Sequence, residues 1–257
     1  MGGRGLLRDE QFGFRPKHST ALQLVRLVER VSRNLDEKRL TGAVFLDVAK
    51  AFDTVWVAGL LYKLTNLNFP SYLVKVISSY LNGRTFEASF QTATSTRRRM
   101  RAGVAQGGII SPVLFSLYVN DMPSPSRHVE LALYADDTAI IATSRQPALL
   151  VKYLETYLSD LERWLSAWRI AINVSKSSAM LFAKTGRRIQ NPRAVQLFGE
   201  PIQWVDVARY LGVTLDKRLN WSKHIDQVRK KAAEIGNAWI SPEQEKRSLH
   251  QEWCSAV

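Results

Sequence analysis

Cysteine is nearly missing from this 257-residue chain: Cys254 is the only one. A single thiol excludes a disulfide framework and any cysteine-based zinc site, so nothing in the sequence requires an oxidising compartment. Long apolar runs are also missing. No stretch approaches the ~20 residues needed to cross a bilayer, and the first ten residues carry Arg4, Arg8 and two acids without an apolar signal core. The expectation is a chain with no membrane partner and no secretory leader. Acidic charge is scarce, with 23 Asp and Glu against 36 Lys and Arg, a formal charge of +13. That excess suits a polyanionic partner and makes any carboxylate cluster an island in a basic protein. The apolar share of 46% is enough to bury a core in one large domain or two modest ones.

Periodicity predicts helices over 20–37, 57–67, 71–81, 111–120, 147–170 and 221–237. Thr20 and Gln23 stand at capping-box spacing, and Pro112 lies in a first turn where it is tolerated. Strand patterns fall at 43–48, 85–91, 94–101, 131–135, 138–143, 179–183, 195–198, 202–205 and 208–215. The pair at 195–198 and 202–205 is joined across Gly199-Glu200, and residues 103–108 read as a glycine-rich loop. Helices and strands are interspersed without strict βαβ alternation, which favours an α+β fold over a doubly wound sheet. Composition shifts near 185–192, a candidate subdomain boundary.

Chemistry concentrates in three acids. Asp136 and Asp137 separate two β-prone runs as the tip of a tight hairpin, and Asp47 is the one charge inside the apolar run 43–48. Alone, an Asp pair at a turn satisfies local backbone donors, and a single core acid is paired by something nearby. A buried Asp47, however, has no basic neighbour in its own strand, and an unpaired charge is costly to bury. Together the three form an all-oxygen donor set of the kind hard, octahedral Mg²⁺ takes, and two such ions serve phosphoryl transfer.

Six segments then occur in a recognisable order: Gln11-Phe12-Gly13-Phe14-Arg15-Pro16, Phe45-Leu46-Asp47-Val48-Ala49-Lys50-Ala51-Phe52-Asp53, Gly103-Val104-Ala105-Gln106-Gly107, Tyr134-Ala135-Asp136-Asp137, Asn173-Val174-Ser175-Lys176 and Tyr210-Leu211-Gly212-Val213. Over about 9–233 the chain resembles the reverse transcriptases of non-LTR (LINE-type) retrotransposons of the Jockey-like group. The resemblance implies a right-hand polymerase: an antiparallel palm sheet carrying the acids, fingers over the nucleotide and a thumb beyond. Residues 1–190 would be partial fingers and palm, and 191–257 the end of the palm with the primer-grip region and a truncated thumb. The implied activity is RNA-directed DNA polymerase, transferring deoxynucleotides (dNTPs) to the 3′-hydroxyl of a DNA primer on an RNA template.

By the same resemblance Asp47, Asp136 and Asp137 would hold two Mg²⁺ ions, with Mn²⁺ as substitute, and Lys176 would protonate the departing pyrophosphate. Arg15 would contact the triphosphate, Phe52 would lie against the sugar and exclude a 2′-hydroxyl, and Gln106 and Gly107 would line the nucleotide and template pocket. Tyr210, Leu211 and Gly212 would steady the primer end, while Lys230 and Lys231, with Arg218, Lys223 and Arg229, would meet phosphates. Outside the resemblance Phe52 reads as core, Arg15 and Lys176 as surface residues, and the basic helix as a solvated face.

The chain departs from the family pattern at Ala105, where proline is common before Gln106, and at its ends. The upstream fingers would be absent, residues 239–257 do not resemble the family thumb, and there is no room for an endonuclease domain. These departures support one alternative, an inactive remnant of a retrotransposon reading frame that binds nucleic acid non-specifically. A nuclease using the same acids is a third reading, but it has no use for the set Arg15, Phe52 and Gln106. Integration would require access to the nucleus.

Overall fold

The computed structural model describes residues 6–184 and 191–239. In chain order these form α1 (Thr20–Asp36), β1 (Leu40–Leu46), α2 (Val57–Asn66), α3 (Ser71–Leu81), β2 (Thr85–Phe86), β3 (Ser89–Phe90), β4 (Ala93–Thr94), β5 (Arg98–Arg99), α4 (Ser111–Tyr118), β6 (Val129–Tyr134), β7 (Asp137–Ser144), α5 (Pro147–Ala167), a single 3-10 turn (Val174–Lys176), β8 (Ser178–Phe182), β9 (Val195–Leu197), β10 (Glu200–Ile202), β11 (Val207–Tyr210), β12 (Val213–Asp216) and α6 (Ser222–Trp239). No helix among them is long and apolar enough to cross a membrane.

The centre is an antiparallel sheet in the order β6-β7-β1-β8. β1 is buried along its whole length because both its faces are covered. Leu40, Val44 and Leu46 enter one core with α2, α4 and α5, while Ala43 and Phe45 enter a second core with α1 and the β11–β12 hairpin. α5 lies on the first face through Leu150, Leu154, Leu158, Leu161 and Leu165, spaced at the helical period. Gly42 lets it approach, since a Cβ there would sit 2.6 Å from Leu150 Cδ2. Lys63, only 5% exposed, ties α2 to α4 and to the chain after α5. Its ammonium donates to Tyr118 O and Asp121 Oδ1, both at 2.5 Å, and lies 3.6 Å from the Trp168 ring centroid. Burial lowers its pKa to about 8, against the opposing pull of Asp121.

Several expected boundaries move. α1 is capped by Ser19, whose hydroxyl accepts from Leu22 N–H at 3.2 Å, and no Thr20–Gln23 capping box forms. Gln23 instead turns inward and donates to Leu133 O at 3.3 Å. β1 stops at Leu46, so Asp47 is an exposed residue at the end of the sheet and not a charge inside a strand. Residues 85–101 form only two-residue strands, all exposed, because the arm has no apolar face to lay on a core. The stretch 208–215 is a hairpin, turning at Leu211 (φ 48°) and Gly212 (φ 79°). The β9–β10 turn falls at Phe198 (φ 53°) and Gly199 (φ 76°), one residue earlier than expected. Left-handed central residues match the twist of paired strands, and the hairpins take them where the ladder allows.

Of the candidate boundary at 185–192, residues 185–190 lie outside the described residues. Beyond it, Val195, Leu197 and Ile202 join the first core, and Ala208, Tyr210 and Leu215 join the second.

Candidate active site

The acids meet at one end of the central sheet. The β1–β7 ladder ends with Leu46 opposite Thr138, and one further step of that register sets Asp47 beside Asp137. Alternation then assigns both to the side of Phe45 and Ala139. In the β6–β7 hairpin Tyr134 pairs with Asp137, so the turn is Ala135-Asp136 and not Asp136-Asp137 as expected. The reason is backbone chemistry: Ala135 supplies the left-handed first position (φ 56°), which leaves Asp137 to open β7. Asp136 projects from the turn and Asp137 from the adjoining strand end, both exposed.

Their electrostatics are coupled. The Asp137 carboxyl is pushed up to about 6, first by desolvation and then by the charges of Asp136 and Asp47. Among the described residues no three acid, His or Cys side chains are drawn into a closed metal cage. An all-oxygen set at the sheet's end is of the donor type a hard divalent ion takes, and such an ion would offset the mutual repulsion of the carboxylates.

Asp47 is fixed by its backbone. Its N–H donates to Ser177 Oγ at 3.1 Å, and its carbonyl accepts from Asn173 N–H at 2.8 Å. Asn173 Oδ1 also accepts from Lys176 N–H at 3.3 Å, so the turn carrying the exposed Lys176 is joined directly to Asp47. Ser177 escaped the sequence reading because its partner is 130 residues away; only its place beside the Asn173–Lys176 motif marked it.

The loop after β1 brings in the second group. Val104 N–H donates to Phe52 O at 2.8 Å and Gly103 N–H to Val55 O at 2.9 Å. A Cβ at Gly103 (φ 90°) would lie 2.7 Å from Asp53 O, so glycine is required for this approach. Gln106 Nε2 then donates to Asp53 Oδ1 at 3.0 Å, which gives Asp53 a role in placing Gln106. Gly107 (φ 81°) faces open space, and the half-buried Phe52 ring lies 4.9 Å from Phe115.

Arg15 is half-buried, its Nη1 donating to Arg8 O at 2.9 Å and Gln11 O at 3.2 Å. Tyr210 is a core residue, 3% exposed, its ring 5.2 Å from Phe45 and its hydroxyl donating to Ala132 O at 3.0 Å. Burial and the Asp137 charge push its pKa up, so it underpins the sheet near that acid. Leu211 and Gly212 form the adjoining turn. Lys230 and Lys231 are exposed on α6, and no described contact joins them to the acids. Gln11, quoted above only as part of a motif, is buried beside the Ala135-Asp136 turn.

The chain is similar to known proteins in both sequence and fold. Residues 5–215 match the family described as reverse transcriptase (RNA-dependent DNA polymerase). The chain is 35% identical over 255 residues to a probable RNA-directed DNA polymerase from transposon X-element of Drosophila melanogaster, covering 97% of this chain and 28% of that protein. It is 36% identical over 250 residues to the RNA-directed DNA polymerase from mobile element jockey of the same species, covering 93% and 27%. The chain thus spans about a quarter of the length of these relatives. Apo telomerase from Candida tropicalis shares the fold, with a TM-score of 0.54 at 11% identity over 83% of this chain and 40% of that one. Reverse transcriptases generally use divalent metal ions. On these grounds the chain, with its acids at the end of an antiparallel palm sheet, belongs to the reverse transcriptase family and is similar to the polymerases of the X-element and jockey transposons.

Proposed function

We propose that this chain is the polymerising core of an RNA-directed DNA polymerase, adding dNTPs to a DNA primer on an RNA template. The observation that carries the reading is the meeting of Asp47, Asp136 and Asp137 at one end of the central sheet, where the β1–β7 register and the β6–β7 turn bring them together. Desolvation, and after it the charges of the other two acids, pushes Asp137 up to about 6. These acids would hold two Mg²⁺ ions, or Mn²⁺, whose chemistry is to lower the pKa of the attacking hydroxyl and neutralise charge on the phosphates.

The residues around them divide the remaining work. Asp53 orients Gln106, so that Gln106 and the open Gly107 can line the nucleotide base and template. Phe52, whose ring packs on Phe115, would lie against the sugar and exclude a 2′-hydroxyl. Arg15 would exchange its two carbonyl partners for triphosphate oxygens, which a planar guanidinium binds more strongly. Lys176 would give its proton to the leaving pyrophosphate from a turn tied to Asp47. Residues 1–190 would be partial fingers and palm, and 191–257 the end of the palm with the primer-grip region and a truncated thumb, of which 240–257 lie outside the described residues. The Leu211-Gly212 turn would lie against the primer and Lys230 and Lys231 on phosphates.

Primer extension on an RNA template with Mg²⁺ tests this, comparing the chain with Asp136→Asn. Extension by the unmodified chain, reduced by on the order of 10³-fold or more in the variant, is expected, since lost charge stabilisation at a transition state is worth several kcal/mol. No extension by the unmodified chain would leave the inactive-remnant reading; equal extension by both would remove the acids from the metal site.

A further inference from the structure

The N-terminal motif contains a side chain whose only described partners are backbone groups at and beside the acid-bearing turn. Gln11 is 1% exposed, and its Oε1 accepts from Ala135 N–H at 3.0 Å and from Gly13 N–H at 2.9 Å. Two donors on one oxygen fix which way the amide faces. Its Nε2 is buried and has no partner among the described residues. The segment is seated by the main chain as well, with Phe12 N–H donating to Leu133 O at 2.8 Å and Leu133 N–H to Glu10 O at 3.1 Å. Gly13 packs so closely that a Cβ would lie 2.3 Å from Ala135 N.

We propose that Gln11 is a positioning residue that pins the Ala135-Asp136 turn and thereby sets where Asp136 stands. Ala135 holds a left-handed φ of 56°, a conformation alanine leaves when nothing restrains it. The Gln11 carbonyl supplies that restraint by capturing the Ala135 N–H in its turn geometry. The choice of glutamine over glutamate follows from the neighbourhood. A carboxylate would accept both N–H groups and leave no orphan donor, but it would add a fourth negative charge next to Asp47, Asp136 and Asp137. Glutamine is the neutral acceptor of the same length, and its unpartnered Nε2 is the cost of that neutrality. The same segment carries Arg15, held by Gln11 O, so the proposed triphosphate contact and the acid turn share one support.

The consequence for polymerisation rests on the reading given under Proposed function; the pinning itself does not. Two variants disturb the contact from opposite sides: Gln11→Met keeps length without an acceptor, and Gly13→Ala keeps the acceptor but blocks the approach. Amide exchange at Ala135 and Asp136, read by NMR, is expected to accelerate at least tenfold in both, while β7 amides at Ile140 and Ile141 keep their protection. In primer extension, kcat per folded protein is expected to fall on the order of 10- to 100-fold, with the KM for dNTP within about threefold, as for a misplaced reacting group. Unchanged exchange at Ala135 and Asp136 in both variants overturns the proposal, whether or not the unmodified chain extends primers. Faster exchange with unaltered kcat per folded protein also overturns it, because the turn then needs no pinning to place Asp136. If the unmodified chain does not extend primers but the exchange result holds, the polymerase reading fails and the pinning stands.

Discussion

Replacing Asp137 with Asn is expected to stabilise the metal-free protein near neutral pH while removing an acid from the proposed metal site. In the folded chain desolvation and the charges of Asp136 and Asp47 push this carboxyl up to about 6, whereas its ordinary value is 3.8. Between those values the folded state keeps a proton that the unfolded state has released, so stability is lost as pH rises through that window. The full difference, about 3 kcal/mol by linkage, must be discounted because solvent reaches an exposed carboxyl, which leaves about 1 kcal/mol. Asn carries no charge to repel its neighbours and avoids that penalty. The assay is urea unfolding in EDTA: the variant should exceed the parent by about 1 kcal/mol at about pH 7.5 and match it at about pH 4. In a chain of this size that corresponds to roughly 2–4 °C in Tm. Mg²⁺ should narrow the gap by neutralising the parent's acids. A difference of the same size at both pH values would refute the reasoning, since desolvation and the neighbouring charges would then not raise this carboxyl.

Phe52→Ala should lose discrimination against ribonucleotides, measured as a fall in the dNTP-to-rNTP ratio of kcat/KM, and should cost about 1–3 kcal/mol of stability because the half-buried ring also packs on Phe115. Lys63→Met should destabilise the chain by about 1–3 kcal/mol in urea unfolding, since methionine fills the volume but makes neither the hydrogen bonds to Tyr118 O and Asp121 nor the cation–π contact with Trp168. Tyr210→Phe should cost about 1 kcal/mol through the lost bond to Ala132 O and leave primer affinity unchanged, because the hydroxyl is buried. Gly212→Val, at an exposed left-handed position with open space around it, should cost about 1–2 kcal/mol by backbone strain and weaken primer binding in a filter assay if that turn touches the primer.

The acids, the Phe52 and Gln106 segments and the irregular succession of helices and strands are all legible in the sequence alone. Runs such as 147–167 and 40–46 bury one or both faces, and burial writes itself into apolar spacing. Boundaries were less legible where a hairpin chooses its own turn. Nothing local distinguishes Ala135-Asp136 from Asp136-Asp137; the choice follows from pairing Tyr134 with Asp137 and from a left-handed alanine. Asp47 read as a buried charge because Val48 extends the apolar run, yet the strand ends at Leu46 and the acid meets solvent. The exposed arm at 85–101 read as longer strands because its β-prone residues say nothing about whether a core lies beneath them.

The sequence by itself determined the family, the donor chemistry of the site and the order of the elements, since each is set by residue type and short-range spacing. Only the tertiary structure decided what holds those acids in place. Asp47 hangs on Ser177 across 130 positions, Ala135 on Gln11 across 124, and Gln106 on Asp53 across 53. A hydrogen bond from a side chain to a distant residue leaves no periodic trace in the chain, so its partners emerge only when the fold brings them together.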